Sequence, residues 1–343
     1  MSTKKPKVSV IIPNYNHARY LPQRIESVLK QTVSYIEVVI LDDCSPDNSR
    51  EIIEKYASQD SRIRVVYNEE NSGSTFKQWN KGFALAQGEY IWIAESDDYA
   101  DEYFLEKLVS KLDDDPEVGL VYCDSWNLFE YNNTVARSHA LYAELDPELW
   151  EKDFCVEGNF LIRKFMSYRN VIPNASAVVF RRSIAERAGP ADEKMRLVGD
   201  WLYWASIFAI SKVCFVAEPL NYFRHHSNNV RSKTLVNGIY FYELTLVLAA
   251  IKSYGNPDEH FYSKTLIEFF NMWFEGVLRY DIPLTRNYAI YKNMTKLDKP
   301  TAALTKSRCK EFLLSNNYSA LRQLLGDKTL YPIFRKVISF VKI

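Results

Sequence analysis

Three carboxylates close the run Glu89-Tyr90-Ile91-Trp92-Ile93-Ala94-Glu95-Ser96-Asp97-Asp98, in which an apolar stretch of strand character stops abruptly at Glu95, Asp97 and Asp98. Acids packed this closely repel one another and lose hydration, so a cation among them is the simplest chemical account. Mg²⁺ or Mn²⁺ suits the pattern: such ions take one or two carboxylates and fill their remaining positions with substrate phosphates and water. The competing account is a solvated acidic turn, with Asp98 or Asp101 capping the helix that follows. A second acidic pair, Asp42-Asp43, ends another apolar run, and Asp200 opens a third behind Gly199.

The elements around these acids alternate. Val8 to Pro13 is β-rich and is followed by the polar turn Asn14-Tyr15-Asn16, then by Leu21, Ile25, Val28 and Leu29 at helical spacing. Ile36 to Leu41 predicts a second strand, which a right-handed crossover would set parallel to the first. The pattern repeats with a helix around Ile52, Ile53 and Tyr56, a strand at Ile63 to Tyr67, and a helix around Phe76, Trp79 and Phe83. Every strand therefore carries its polar residues at its carboxyl end, the edge where open parallel sheets bind ligands. Beyond the acidic run a helix around Phe104 to Leu112 and a strand at Val118 to Cys123 are expected. Ser125 to Val156 is read as irregular or lid-like. Phe160 to Tyr168 and Ile184 to Ala188 read as helices, Ser176 to Phe180 and Val213 to Val216 as strands, the last ending before Pro219. After about Lys233 only helical periodicity remains.

Composition sets the limits. Basic and acidic residues balance at 43 each, so the overall charge does not favour nucleic acid as a partner. The 23 Tyr and 7 Trp favour stacking surfaces for sugars or bases. Five cysteines, scattered and without a C-x-x-C pair, suggest neither a disulfide framework nor a zinc site and fit a reducing cytosol. Met1 to Lys7 lacks the apolar segment of a signal peptide, and no apolar run reaches the length of a membrane span. Tyr331 to Ile343 mixes apolar and basic residues; it suits either a helix docked on the protein or a peripheral contact with the inner face of a membrane.

With these residues in view, the chain resembles the family 2 glycosyltransferases of the GT-A fold, inverting enzymes that use nucleotide sugars. The likeness runs from about Val8 to Val230. It rests on Val8 to Asn16, on Leu41-Asp42-Asp43-Cys44-Ser45 against the family's DDGS segment, on Glu95-Ser96-Asp97 at its D-x-D position, on Gly199-Asp200-Trp201, and on Tyr222-Phe223-Arg224-His225-His226. It implies a Rossmann-like, mixed but mainly parallel sheet flanked by helices, spanning residues 1–232 with a nucleotide half to about 124 and an acceptor half beyond it. A helical C-terminal region, 233–343, follows. By the same likeness Pro13 and Tyr15 lie beside the base, Asp43 meets the base edge, Asp42 supports its loop and Glu95 serves the ribose or a metal water. Asp97, with Asp98 and His226, then holds the divalent cation, and His226 also lies near the diphosphate. Asp200 is the catalytic base, against the alternative that it only caps its helix. Two departures stand out: Cys44 replaces a glycine, and the arginine many relatives carry between Asn71 and Gly82 is absent, which leaves Lys77 or Gln78 for the diphosphate. The implied donor is a UDP-sugar and the implied acceptor a glycan or lipid-linked glycan of surface polysaccharide assembly. A GT-A-fold carbohydrate-binding or scaffold protein without turnover is the alternative. The absence of G-x-G-x-x-G after any predicted strand excludes a dehydrogenase.

Overall fold

The computed structural model describes residues 5–226, 237–280 and 282–314. The Tyr331 to Ile343 segment lies outside the described residues. The chain forms two compact units, Met1–Asn229 and Val230–Ile343.

The first unit is built on one mixed sheet of ten strands. Its left half is parallel: β1 (Val8–Asn14), β2 (Ile36–Asp42), β3 (Ile63–Tyr67) and β4 (Tyr90–Ile93) pair in the order β3-β2-β1-β4. Between them run α1 (Leu21–Leu29), α2 (Ser49–Gln59) and α3 (Thr75–Leu85). Helices cover both faces of such a sheet, so β1 is buried along its whole length. Val8, Val10, Ile11 and Ile12 have no exposed surface, and each contributes roughly 1.5–3 kcal/mol of burial. The crossovers bring the carboxyl ends of β1, β2 and β4 to one edge of the sheet.

The order continues β4-β9-β6-β10-β5, where β5 is Tyr99–Ala100, β6 Val118–Phe129, β9 Val178–Arg181 and β10 Lys212–His225. β9 is antiparallel to both neighbours, and β6 runs parallel to β10. The helices of this half are α4 (Phe104–Asp114), α5 (His139–Leu145), α6 (Gly158–Leu161, widening into π geometry over Ile162–Met166), α7 (Arg182–Ala188) and α8 (Gly199–Phe208).

Three expectations are corrected here. The stretch from Ser125 to Val156 is organised rather than lid-like: β6 continues to Phe129 and turns back as β7 (Thr134–Arg137), and α5 and β8 (Phe154–Glu157) follow. The last strand does not end before Pro219. Proline donates no ladder hydrogen bond, and β10 carries it through at paired register shifts on either side. Cys155 and Cys214, expected to be free thiols, form a disulfide, because β8 and β10 are antiparallel and place them directly opposite. The pairing was hidden because β8 lies inside the stretch read as irregular.

The second unit contains α9 (Ile239–Ser253), α10 (Glu259–Arg279), α11 (Leu284–Leu297) and α12 (Lys299–Leu314), the helical extension expected after the sheet. Asp258 caps α10 by accepting from the Phe261 amide at 3.1 Å. Phe241, Phe269, Phe270, Trp273 and Ile290 are buried, and the Trp273 indole donates to Asn287 at 2.8 Å. No helix among the described residues is long and apolar enough to cross a membrane.

Candidate active site at the carboxyl edge of the sheet

The tips of β1 and β2 are locked together by hydrogen bonds. Asp42 accepts from the Asn14 side-chain amide at 2.8 Å, from Ser45 Oγ at 2.6 Å and from the Ser45 backbone at 3.1 Å, which ties the Ser45 loop to the tip of β1. Asp43 accepts four: from Asn68 Nδ2, the Ser72 amide, Ser72 Oγ and Gln78 Nε2. Three of these fall on Oδ1 and one on Oδ2, so of the two lone-pair sites on Oδ2 one is left by its own chain. Asp43 fixes the Asn68–Ser72 loop. Pro13 sits within β1 at the same edge, and the Tyr15 ring beyond it is 46% exposed. Cys44 has φ +59°, the left-handed region a glycine enters freely. That conformation costs an L-residue with a Cβ roughly 1–2 kcal/mol. Cys44→Gly is therefore expected to raise stability by about 0.5–1 kcal/mol after the extra chain entropy of glycine is subtracted, and urea denaturation of both proteins measures it.

At the tip of β4 the three acids take different surroundings. Asp97 Oδ2 lies 3.0 Å from His226 Nε2. Burial opposes the Asp97 charge, but the His226 hydrogen bond and the two nearby imidazoles outweigh it and hold the carboxyl below its ordinary range. The same hydrogen bond raises His226. His17, in the turn after β1, packs edge-on against His226 with ring centres 5.7 Å apart, and its Nδ1 lies 2.8 Å from Ser96 Oγ. Burial pushes its imidazole toward the neutral form. One donor atom from each of His17, Asp97 and His226 lies within 4.8 Å of the others.

Asp98 does not join this group. Its Oδ2 accepts from Asn174 Nδ2 at 2.8 Å and Ser176 Oγ at 2.7 Å, and its Oδ1 accepts from the Arg224 amide at 2.9 Å. Burial and the neighbouring Asp97 charge push it up to about 6. Glu95 accepts from the Trp79 indole at 2.8 Å, and burial together with Asp97 raises it to about 8. A Glu95 carboxyl that keeps its proton near neutrality reduces the repulsion within the cluster.

The positive charge that balances the acids comes from two arginines. Arg24 on α1 is fully buried; its Nε donates to the Glu95 carbonyl at 2.8 Å and its guanidinium lies over the Trp92 ring, 5.5 Å from the centre. Burial lowers it to about 10 while Asp98, Asp97 and Glu95 hold its charge. Arg224 donates through Nε to the Asp97 carbonyl at 2.8 Å. Lys77 on α3 is exposed and reaches the Ser72 carbonyl at 3.4 Å, whereas Gln78 is taken up by Asp43. Arg196, from the loop before α8, donates to the Gly73 carbonyl and thus brings a guanidinium from elsewhere in the chain to the segment that lacks one of its own.

Asp200 stands in the first turn of α8 and accepts from Asn170 Nδ2 at 3.1 Å. The capping position of that helix is Val198, which makes no side-chain cap bond, so the plain capping role for Asp200 does not hold. α8 begins tightly against α3: a Cβ on Gly199 would lie 2.5 Å from the Phe76 ring. The adjoining Trp201 indole is buried and donates to the Met166 carbonyl at 3.1 Å, so it packs inward.

His17, Arg24 and Arg196 were missed in the sequence. The one available signal was Arg24, which falls on the same helical face as Leu21, Ile25 and Val28, where a charge must find buried partners.

Comparison with known proteins agrees with this architecture. Over 227 residues the chain is 30% identical to the glycosyltransferase GlyG of Streptococcus pneumoniae serotype 4; the aligned part is 65% of this chain and 61% of GlyG, less than two thirds of that relative. Among solved structures it is similar to Staphylococcus aureus TarS 1–349 in complex with UDP, with a TM-score of 0.66 and 20% identity over 91% of this chain and 89% of that one. A further likeness is to the mannosyltransferase PcManGT of Pyrobaculum calidifontis in complex with GDP-Man and Mn²⁺, with a TM-score of 0.53 and 17% identity over 95% and 89% of the two chains. These structural likenesses establish the GT-A fold. The pattern of glycosyl transferase family 2 matches residues 9–170, from β1 through the acidic tip of β4 to the Asn170 that holds Asp200, and supports a family 2 glycosyltransferase.

Proposed function

We propose that this chain transfers a sugar, with inversion, from a nucleotide diphosphate sugar to a hydroxyl of a glycan or lipid-linked acceptor, in the assembly of a surface polysaccharide at the cytoplasmic face of the membrane. The observation that carries the reading is the Asp97–His226 pair at the same sheet edge as the interlocked tips of β1 and β2. UDP is the favoured nucleotide, because TarS binds it in the more similar of the two complexes. Pro13 and Tyr15 border the base, and Asp43 meets the base edge while holding the Asn68–Ser72 loop. Lys77, with Arg196, supplies positive charge for the diphosphate.

The donor set of Asp97 and its imidazole neighbours fits a divalent cation, Mn²⁺ or Mg²⁺, which when bound stabilises the charge of the leaving diphosphate. Asp98 and Arg24 keep the acidic tip rigid and balanced from beneath. Asp200, in the first turn of α8, accepts the proton of the attacking hydroxyl. Attack on C1 from the face opposite the nucleotide turns an α-linked donor into a β-linked product.

Nucleotide release from a panel of UDP-sugars, measured with and without acceptor oligosaccharides, tests the reading. One donor is expected to give metal-dependent release that acceptor accelerates. Tight binding of a nucleotide sugar with no release under any condition would instead support the carbohydrate-binding alternative.

A further inference from the structure

We propose that His17 is a metal ligand, so that the cation is held by two imidazoles and one carboxylate and the site selects Mn²⁺ and its first-row neighbours over Mg²⁺. The inference rests on the metal-dependent reading above and goes beyond it by naming the ligand set and the class of ion it takes.

Three observations support it. The donor atoms of His17, Asp97 and His226 lie within 4.8 Å of one another. Ligands about 2.1 Å from one ion are at most about 4.2 Å apart, so small side-chain rotations close the set. Second, His17 Nδ1 is held at 2.8 Å by Ser96 Oγ. A ligating imidazole commonly donates its other ring N–H to a fixed oxygen, which sets the tautomer and leaves the opposite nitrogen for the metal. Ser96 is placed to serve in that way, which would leave Nε2 for the ion. Third, Asp98, the carboxylate that would otherwise complete an all-oxygen site, is committed to Asn174, Ser176 and the Arg224 amide.

The ion class follows from the donors. Mg²⁺ prefers oxygen ligands in near-ideal octahedral geometry and gives up water reluctantly. Imidazole nitrogen favours the later first-row ions, for which affinity rises from Mn²⁺ toward Cu²⁺. The turn that carries His17 is fixed at its start by Asn16 at φ +59° and by the Asn16 amide donating to Ser45 Oγ at 3.0 Å, so the ligand is delivered by the scaffold of the β1 and β2 tips.

The test uses the full chain with Mn²⁺ alone and no nucleotide. Pulsed electron paramagnetic resonance counts nitrogen nuclei bonded directly to Mn²⁺, and titration of the free-ion signal yields the affinity. The parent is expected to show two bound imidazoles. His17→Asn, whose amide can still bond Ser96, is expected to show one, with Mn²⁺ affinity at least about tenfold weaker and a smaller Mn²⁺ over Mg²⁺ preference. One imidazole in the parent spectrum overturns the proposal without recourse to any variant. Parental Mn²⁺ affinity in His17→Asn, with Asp97→Asn inactive in binding, also overturns it while leaving the metal-dependent reading intact. Parental affinity in both variants removes the metal from this site altogether.

Discussion

Asp200→Asn is expected to lower sugar transfer by about 10²–10⁴-fold, the usual loss on removing a general base, while the melting temperature and the affinity for the nucleotide sugar stay at parental values. The side chain is nearly isosteric, and its amide oxygen can still accept from Asn170, which donates to Asp200 at 3.1 Å in the parent. The helix start does not depend on it, because the cap position belongs to Val198. What the exchange removes is a charge at the amino end of α8, worth about 0.3–1 kcal/mol to the helix at most ordinary sites, and the ability to take a proton. Initial rates, thermal melts and calorimetric titration on one preparation separate these effects. Transfer at near the parental rate would place the base elsewhere.

Asp98→Ala is the substitution with the largest expected cost in stability, about 3–5 kcal/mol, the range for stripping one partner from a buried charged network. It leaves Asn174, Ser176 and the Arg224 amide without their acceptor and deprives the buried Arg24 of the carboxylate that most strongly holds its charge. Asp97→Asn, two atoms of backbone away in chemistry but facing the imidazoles, is expected to cost less than about 1 kcal/mol and to abolish Mn²⁺-dependent nucleotide-sugar binding, since a ligand charge is gone. Denaturation in the presence of a chelator ranks the two. Equal midpoints would mean that Asp98 does not organise the tip and is free to serve the metal.

Much of this was legible in the sequence where one physical rule dominated. β1 to β4 are short apolar runs because a parallel strand buried on both faces admits little else, and each ends in polar residues because its carboxyl end leaves the core. Asp97 and Asp200 were legible because an acid at the end of an apolar strand or the start of an apolar helix has few structural excuses. Strand β10 was only half legible: Pro219 ordinarily ends a strand, and nothing local announces the register shifts that let it continue. His17 was illegible, as a single histidine in a polar turn carries no periodicity and its partners Ser96 and His226 are remote in the chain. The division of labour between Asp97 and Asp98 was equally hidden, since adjacent acids look alike until Asn174 and Ser176 claim one of them.

Strand β10 also bears on the order of events during synthesis. It supplies the Arg224 amide to Asp98 across 126 residues and runs directly into His226, which reaches Asp97 across 129. A ribosome that has released the chain only as far as residue 211 has emitted every parallel strand of the left half and the acidic tip with Arg24, Asn174 and Ser176, but neither Arg224 nor His226. Contacts of such long separation form late, after the loop entropy has been met. The nascent chain thus has the partners of Glu95 and most of those of Asp98 in hand early, while Asp97 waits for His226 and Asp98 for its last donor, the Arg224 amide.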